Sequence, residues 1–237
     1  MANHNMNQDS VFLQSEGDRW FERNHGALDS FDAAADLPLR LMDLYELQPR
    51  SVLEIGAANG FRLAAIHRRN GARAVAVEAS QQALLDGQRR FPSVTFVRAG
   101  ASDIPLTEVF DLVIVNFVFH WIDRRCLLRA VAEADRLVRA GGYLLIGDFY
   151  PANRLCVNYH HLEKGEIYTF KQNYAATFLA SGLYHPVGLL TGDHNQKQLR
   201  CAVAENDRIA AWLLEKELSE HYMPMSLNGA HESPRSS

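Results

Sequence analysis

The chain has 237 residues, 47% of them hydrophobic and 22% charged, and a formal net charge of −4. That length and apolar content suit one domain with a sizeable core, and the mildly acidic balance argues against a nucleic-acid groove, whose phosphates demand a basic face. No apolar run approaches bilayer length, Met1–Ser10 is too polar for a secretory leader, and Cys126, Cys156 and Cys201 are scattered, as expected of a reduced cytoplasmic chain without a metal centre.

Taken in order, residues 5–30 carry Val11, Phe12, Trp20 and Phe21 among charged neighbours, too bulky for a free tail, and predict a short helix closing over the site as a lid. Phe31–Leu47 reads as a helix, with Leu37, Leu41, Leu44 and Tyr45 at helical spacing and Pro49 ending it. Ser51–Phe61 then gives a buried strand (Val52, Leu53, Ile55), a turn almost without side chains (Gly56, Ala58, Gly60) and the start of another helix. Ala74–Val77 is a second strand ending at Glu78, Gln81–Arg90 a helix capped by Ser80, and Thr95–Val97 a third strand. Arg62, Arg68, Arg69, Arg73, Arg89 and Arg90 read as solvated helix surface.

Phe110–Asn116 is the central strand, followed directly by Phe117, Phe119, His120 and Trp121. Arg125–Ala140 is amphipathic and stopped by Gly141 and Gly142, and Tyr143–Ile146 is the next strand. Residues 150–184 form an insertion rich in aromatics and poor in acids. Within it His160 and His161 are adjacent, which in an extended chain sends them to opposite sides. Gly188–Thr191 and Leu199–Ala204 read as a closing hairpin, Asp207–His221 as a final helix, and 226–237 as a loose polar tail after a single domain spanning 1–225.

A strand, a small-residue turn and a helix bring backbone against a nucleotide at a helix N-terminus. The three-glycine dinucleotide fingerprint is disturbed by Ala58 and Asn59. The pattern here, acid-x-Gly-x-small-x-Gly from Glu54, resembles motif I of the class I S-adenosylmethionine (SAM) methyltransferases, and Glu133–Asp148 is similar to their helix and Gly-Gly turn before the fifth strand. The resemblance covers residues 50 to 150. It implies an α/β fold, Rossmann-like, with a seven-stranded mostly parallel sheet and helices on both faces, and SAM as cofactor. On its motifs Glu54, Gly56, Ala57, Ala58 and Gly60 would meet the methionine part, Glu78 and Ala79 the ribose, and Asn116 and Phe117 the reacting end. The acid usual near adenine falls on Gly100, so Ala101 backbone or Ser102 would serve instead.

The run Phe12–Asn24 resembles the N-terminus of a bacterial small-molecule subgroup, which makes Trp20, Phe21 and Asn24 lid residues over the methionine. The first expectation is methyl transfer to O or N of a small metabolite, a sugar or natural-product intermediate. His120 would be the base, Asn116 would orient the reactants, and Tyr159 and Tyr174 would line the acceptor side. The subgroup is also similar to the azetidine-2-carboxylate synthases, in which SAM is the only substrate and cyclises with loss of methylthioadenosine. A non-catalytic SAM-binding module is the third reading. A monomer or homodimer is expected, with no membrane or nucleic-acid partner.

Overall fold

The structure is a computed structural model that describes residues 7–162, 167–196 and 198–218. In chain order the elements are α1 (Gln8–Val11), a π-helical turn (Phe12–Glu16), α2 (Gly17–Asp29), α3 (Leu37–Leu44), β1 (Ser51–Ile55), α4 (Phe61–Asn70), β2 (Arg73–Glu78), α5 (Gln81–Arg90), β3 (Val94–Arg98), β4 (Phe110–Asn116), a 3-10 turn (Phe119–Trp121), α6 (Leu127–Leu137), β5 (Val138–Phe149), β6 (Leu155–Asn158), β7 (Tyr168–Lys171), α7 (Ala175–Ala180), β8 (Tyr184–Asp193), β9 (Gln198–Leu199) and β10 (Arg208–Lys216).

One sheet runs in the order β3-β2-β1-β4-β5-β10-β8, with the two-residue β9 on its edge. The pairs from β3 to β5 are parallel, and β10 lies antiparallel between β5 and β8. The strands are apolar on both faces because helices cover both. Leu53, Val113, Val115, Leu144 and Leu214 join α6 and α7 in one core, while Val52, Leu112, Ile114, Leu145 and Leu213 join α3 and α4 in the other. Successive side chains along β4 alternate between these cores, as the pleat requires. Among the described residues no helix is long and apolar enough to cross a membrane.

Several boundaries differ from those read in the sequence. Asp207–His221 is not a helix where it is described: Arg208–Lys216 is a strand. Its Ala, Leu, Glu and Lys are good helix formers, but the slot between β5 and β8 pairs its backbone from Ile209 to Glu215 on both sides, and tertiary pairing overrides propensity. The partner of β8 is therefore β10, and only Leu199 of the expected second hairpin strand pairs, in β9. The helix expected over Phe31–Leu47 is confined to α3, capped by the Asp36 side chain, which accepts from the Leu39 N–H at 3.1 Å. The helix α6 stops at Leu137, and Gly141 and Gly142 lie inside β5 at an irregularity opposite Phe110–Leu112. The expected tail, 226–237, lies outside the described residues.

The N-terminal segment is fastened across the sheet's C-terminal edge. Gln8 Nε2 donates to the carbonyls of Trp121 and Tyr168 at 2.7 and 2.8 Å, and its backbone N–H donates to Asp123 at 3.0 Å. Phe12 stacks on Trp121 with centroids 5.2 Å apart. Asp18 accepts from Ser80 Oγ and from the Gln82 N–H at the start of α5, where Gly17 allows close approach: a Cβ there would lie 3.3 Å from the Ser80 nitrogen.

Candidate active site

A cavity of about 880 Å³ opens over the C-terminal ends of β1, β2, β4 and β5. The sheet order changes direction between β1 and β4, and open α/β sheets bind ligands at such a point. The volume sits high in the ~300–1,000 Å³ range of small-molecule sites.

The floor is the turn after β1. Gly56 has φ 72°, and a Cβ on it would lie 2.3 Å from Val118 Cγ2, so only glycine fits. Ala58 holds φ 49° without being glycine, which costs about 1–2 kcal/mol. Its N–H is used: it donates to Glu78 Oε2 at 2.8 Å, while the Ser80 N–H donates to Glu78 Oε1 at 2.8 Å. Burial pushes the Glu78 carboxyl upward, against the pull of these backbone donors. Ala79 adds a third backbone hydrogen bond, and Glu78 lines the cavity with what acceptor capacity remains.

Glu54 is 1% exposed and lies in an ion triad. Arg62 donates to Glu54 and, through Nε and Nη2, to both oxygens of Asp36. Arg62 is thus buried, and does not belong to the solvated arginine surface read in the sequence. Burial raises the Glu54 pKa to about 7 despite Arg62, and Asp36 adds repulsion. Glu54 lines the cavity, and its Oε2 is buried without a partner. A buried carboxylate oxygen left in this state fits the ammonium of an amino-acid moiety. With the glycine floor and Glu78, the acceptor set matches what a nucleoside bearing an amino-acid group needs.

The far wall begins at the end of β4. Asn116 lies against Gly147, where a Cβ would be 2.0 Å from Asn116 Oδ1. Phe117 has φ 56°, a genuine outlier for a bulky residue. It is held by its N–H to the Gly147 carbonyl at 2.7 Å and by ring contacts with His120, Phe149 and His194. His120 is 2% exposed; its Nδ1 stands 2.9 Å from Asp148 Oδ1, off the line of a good hydrogen bond, and its backbone N–H donates to Asp148 Oδ2 at 3.3 Å.

His194 and Lys171 complete this wall: sequence reading missed His194, which follows a strand far from the motifs, and noted Lys171 only as one residue of the 150–184 insertion without giving it a role. Lys171 Nζ donates to the carbonyl and the side-chain oxygen of Asn206 at 2.8 Å and sits 3.9 Å from the centroid of the Phe149 ring. Burial lowers the pKa of Lys171 and, with repulsion from Lys171 and His120, that of His194.

Trp20, Asn24, Glu54, Gly56, Ala58, Glu78, Ala79, Ala101, Asn116, Phe117, His120 and Tyr159 all line the cavity. Five other sequence candidates do not. Phe21 is buried edge-on to His25, Ala57 and Gly60 shape the turn from behind, and Ser102 donates to Asp9 at 3.0 Å. Tyr174 is core: its hydroxyl donates to the Phe170 carbonyl and accepts from Arg124, and its ring packs on Phe119. Tyr159 lines the cavity with its ring, but its hydroxyl is spent on Glu16 and Arg23 at 2.9 Å each. Burial and Glu16 hold its proton on well above the usual range. His160 and His161 occupy a turn, so their rings lie 3.9 Å apart and both face the cavity instead of diverging. Among the described residues no group of His, Cys, Asp and Glu could hold a metal.

Parallel order, switch-point cavity and acid-flanked glycine turn together define a Rossmann-like SAM methyltransferase architecture. Residues 53–146 match the family model described as a methyltransferase domain. Over 94 residues the chain is 35% identical to malonyl-[acyl-carrier protein] O-methyltransferase of Enterobacter lignolyticus (strain SCF1), covering 39% of this chain and 36% of that protein. The chain thus spans about a third of the length of that curated relative. Among solved structures, 1,6-didemethyltoxoflavin-N1-methyltransferase of Burkholderia thailandensis, with 1,6-didemethyltoxoflavin and S-adenosylhomocysteine bound, superposes with TM-score 0.70 at 16% identity, over 92% of this chain and 93% of that one. The N-methyltransferase NodS of Bradyrhizobium japonicum WM9, with S-adenosylhomocysteine, gives TM-score 0.58 at 15% identity over 89% and 99%. Residues 53–146 thus match a methyltransferase domain, and the fold along most of the chain is that of the class I SAM-dependent methyltransferases.

Proposed function

We propose that this chain binds SAM and transfers its methyl group to an oxygen or nitrogen of a small metabolite. The observation that carries the reading is one cavity with two unlike halves. On one side Glu54 Oε2, the glycine turn and Glu78 offer acceptors for an ammonium and a ribose; on the other, Phe117, His120, His194 and Lys171 enclose space for a second molecule. When bound, SAM supplies a methyl carbon already activated by its sulfonium.

The protein's own work is then positioning, desolvation and proton removal. The rings of Trp20, Phe117, Trp121 and Tyr159 face the cavity, favour a cation and exclude water. His194, whose pKa is lowered, is suited to take the acceptor's proton, and His120, beside Asp148, packs against Phe117 at the same end. Partial use of Lys171 by Asn206 leaves one ammonium proton for a polar acceptor group.

A second reading rests on Glu54. A carboxyl group with a pKa of about 7 and a buried, unpartnered oxygen at the cavity wall is matched to remove a proton from the α-ammonium of SAM. The freed amine would form a bond to its own γ-carbon as the carbon–sulfur bond breaks toward sulfur, giving azetidine-2-carboxylate and methylthioadenosine.

One experiment separates the two: purified protein is incubated with SAM alone, then with a panel of small amines and hydroxyl compounds, and products are read by mass spectrometry. Methyl transfer predicts stable SAM until an acceptor is added, then S-adenosylhomocysteine and a methylated product in equal amounts. Methylthioadenosine with azetidine-2-carboxylate from SAM alone would overturn methyl transfer in favour of cyclisation.

A further inference from the structure

The base end of the cavity has an unusual construction. Beyond Glu78 the cavity passes the ends of β2 and β3, where it is lined by Ala79, Ala99, Gly100 and Ala101. None of these offers a side-chain acceptor. A buried exocyclic amino group without an acceptor is costly. The backbone also leaves little room for a side chain of its own at residue 100, since a Cβ there would lie 3.2 Å from Leu13 Cδ1. The N-terminal segment occupies that space, held down by Arg98 Nη2, which donates to the Leu13 carbonyl at 2.9 Å.

The same segment brings a carboxylate with it. Asp9 is 8% exposed and lines the cavity. Its position is fixed from two sides: Oδ1 accepts from the Asp123 N–H at 2.7 Å and Oδ2 accepts from Ser102 Oγ at 3.0 Å. Each oxygen keeps a further lone pair. Apart from Glu78, already assigned to the ribose, Asp9 is the carboxylate among the described residues that lines this end of the cavity. We infer that Asp9 is the specificity residue for the nucleobase, accepting from the amino group of adenine in place of an acid on the β3 loop. Ser102 positions it. The N-terminal segment is therefore part of the cofactor site as well as its cover.

The inference rests on the reading of the cavity as a SAM site, and its test keeps the two apart. Calorimetric affinities are measured for S-adenosylhomocysteine and for S-inosylhomocysteine, whose 6-oxo group replaces the 6-amino group. The wild-type chain should prefer the adenosyl ligand by about tenfold or more, the scale of a lost hydrogen bond to a charged group. In Asp9→Asn the preference should collapse or invert, because the amide can donate to the 6-oxo group while its oxygen still accepts from Asp123. The ratio of two ligands in one variant cancels any general loss of stability, and Asp9→Ser serves as a second variant should the amide fail to fold. Unchanged discrimination in a folded Asp9 variant overturns the inference and leaves the SAM reading standing. A wild-type chain that binds neither ligand overturns both.

Discussion

Glu54 carries the sharpest consequence at the scale of a single residue. Its raised folded pKa means that the folded chain holds a proton that an unfolded chain has already lost between about pH 4.5 and 7. On its own account Glu54 therefore favours the fold below that window and does so less as pH rises through about 7. A bound ammonium reverses the preference by stabilising the carboxylate beside Oε2. Affinity for S-adenosylhomocysteine should accordingly rise from pH 5.5 to 7, a range in which the ligand's α-amine, with a pKa near ~8, stays charged. The rise should approach tenfold per unit at the acid end. Glu54→Gln should flatten it, and calorimetry across that range checks the point; a wild-type affinity independent of pH would remove Glu54 from ammonium binding. Much at this scale was legible in the sequence, because strand-end acids and a small-residue turn leave a local pattern around Glu54, Gly56 and Glu78. Arg62 and Asp36 were not, since their pairing joins segments 26 residues apart and neither has a local signature.

At the scale of elements, the N-terminal segment is held against the cavity by polar contacts at a few points. Asp123 accepts from the side chain of Arg125, the Gln8 N–H and the Arg125 N–H, and these hold its carboxyl well below the usual range despite partial burial. A depressed carboxyl stabilises the fold above its unfolded pKa of ~4, and that contribution is lost as pH falls through the lower folded value. Asp123→Asn keeps one acceptor oxygen and loses the charge. It should cost about 1–2 kcal/mol at pH 7, lowering Tm by ~2–8 °C, and the gap from wild type should narrow as pH falls toward 3. Parallel melting series check this; a gap constant with pH would mean the charge is not what matters. The helical character of this segment was readable from Phe12, Trp20 and Phe21. Its fastening was not, because Gln8 bonds a β7 carbonyl 160 residues away. The reverse error, a helix expected where β10 lies, has the same root: Ala210, Ala211, Leu213 and Leu214 have helical propensity, and only the open slot in the sheet makes them a strand.

For the molecule as a whole, the cavity gathers residues from the N-terminal segment, the switch-point strands, the β6–β7 insertion and the β10 region. A ligand bridging these parts stabilises the folded state alone, by RT ln(1 + [L]/Kd), or about 2.7 kcal/mol at a hundredfold excess over Kd. For a chain of this length that is a rise in Tm of ~5–11 °C. S-adenosylhomocysteine should therefore shift thermal unfolding upward with the logarithm of its concentration, and adenosine, which cannot reach Glu54, should shift it less. Asp9→Asn and Glu54→Gln stand at opposite ends of the site with no shared partner, so their losses of ligand-induced shift should add when combined. Differential scanning fluorimetry of the four proteins against a ligand series measures this directly. Equal shifts with adenosine and S-adenosylhomocysteine would confine recognition to the nucleoside and discard the role given to Glu54, whereas the absence of any shift would remove the basis for reading this cavity as a SAM site.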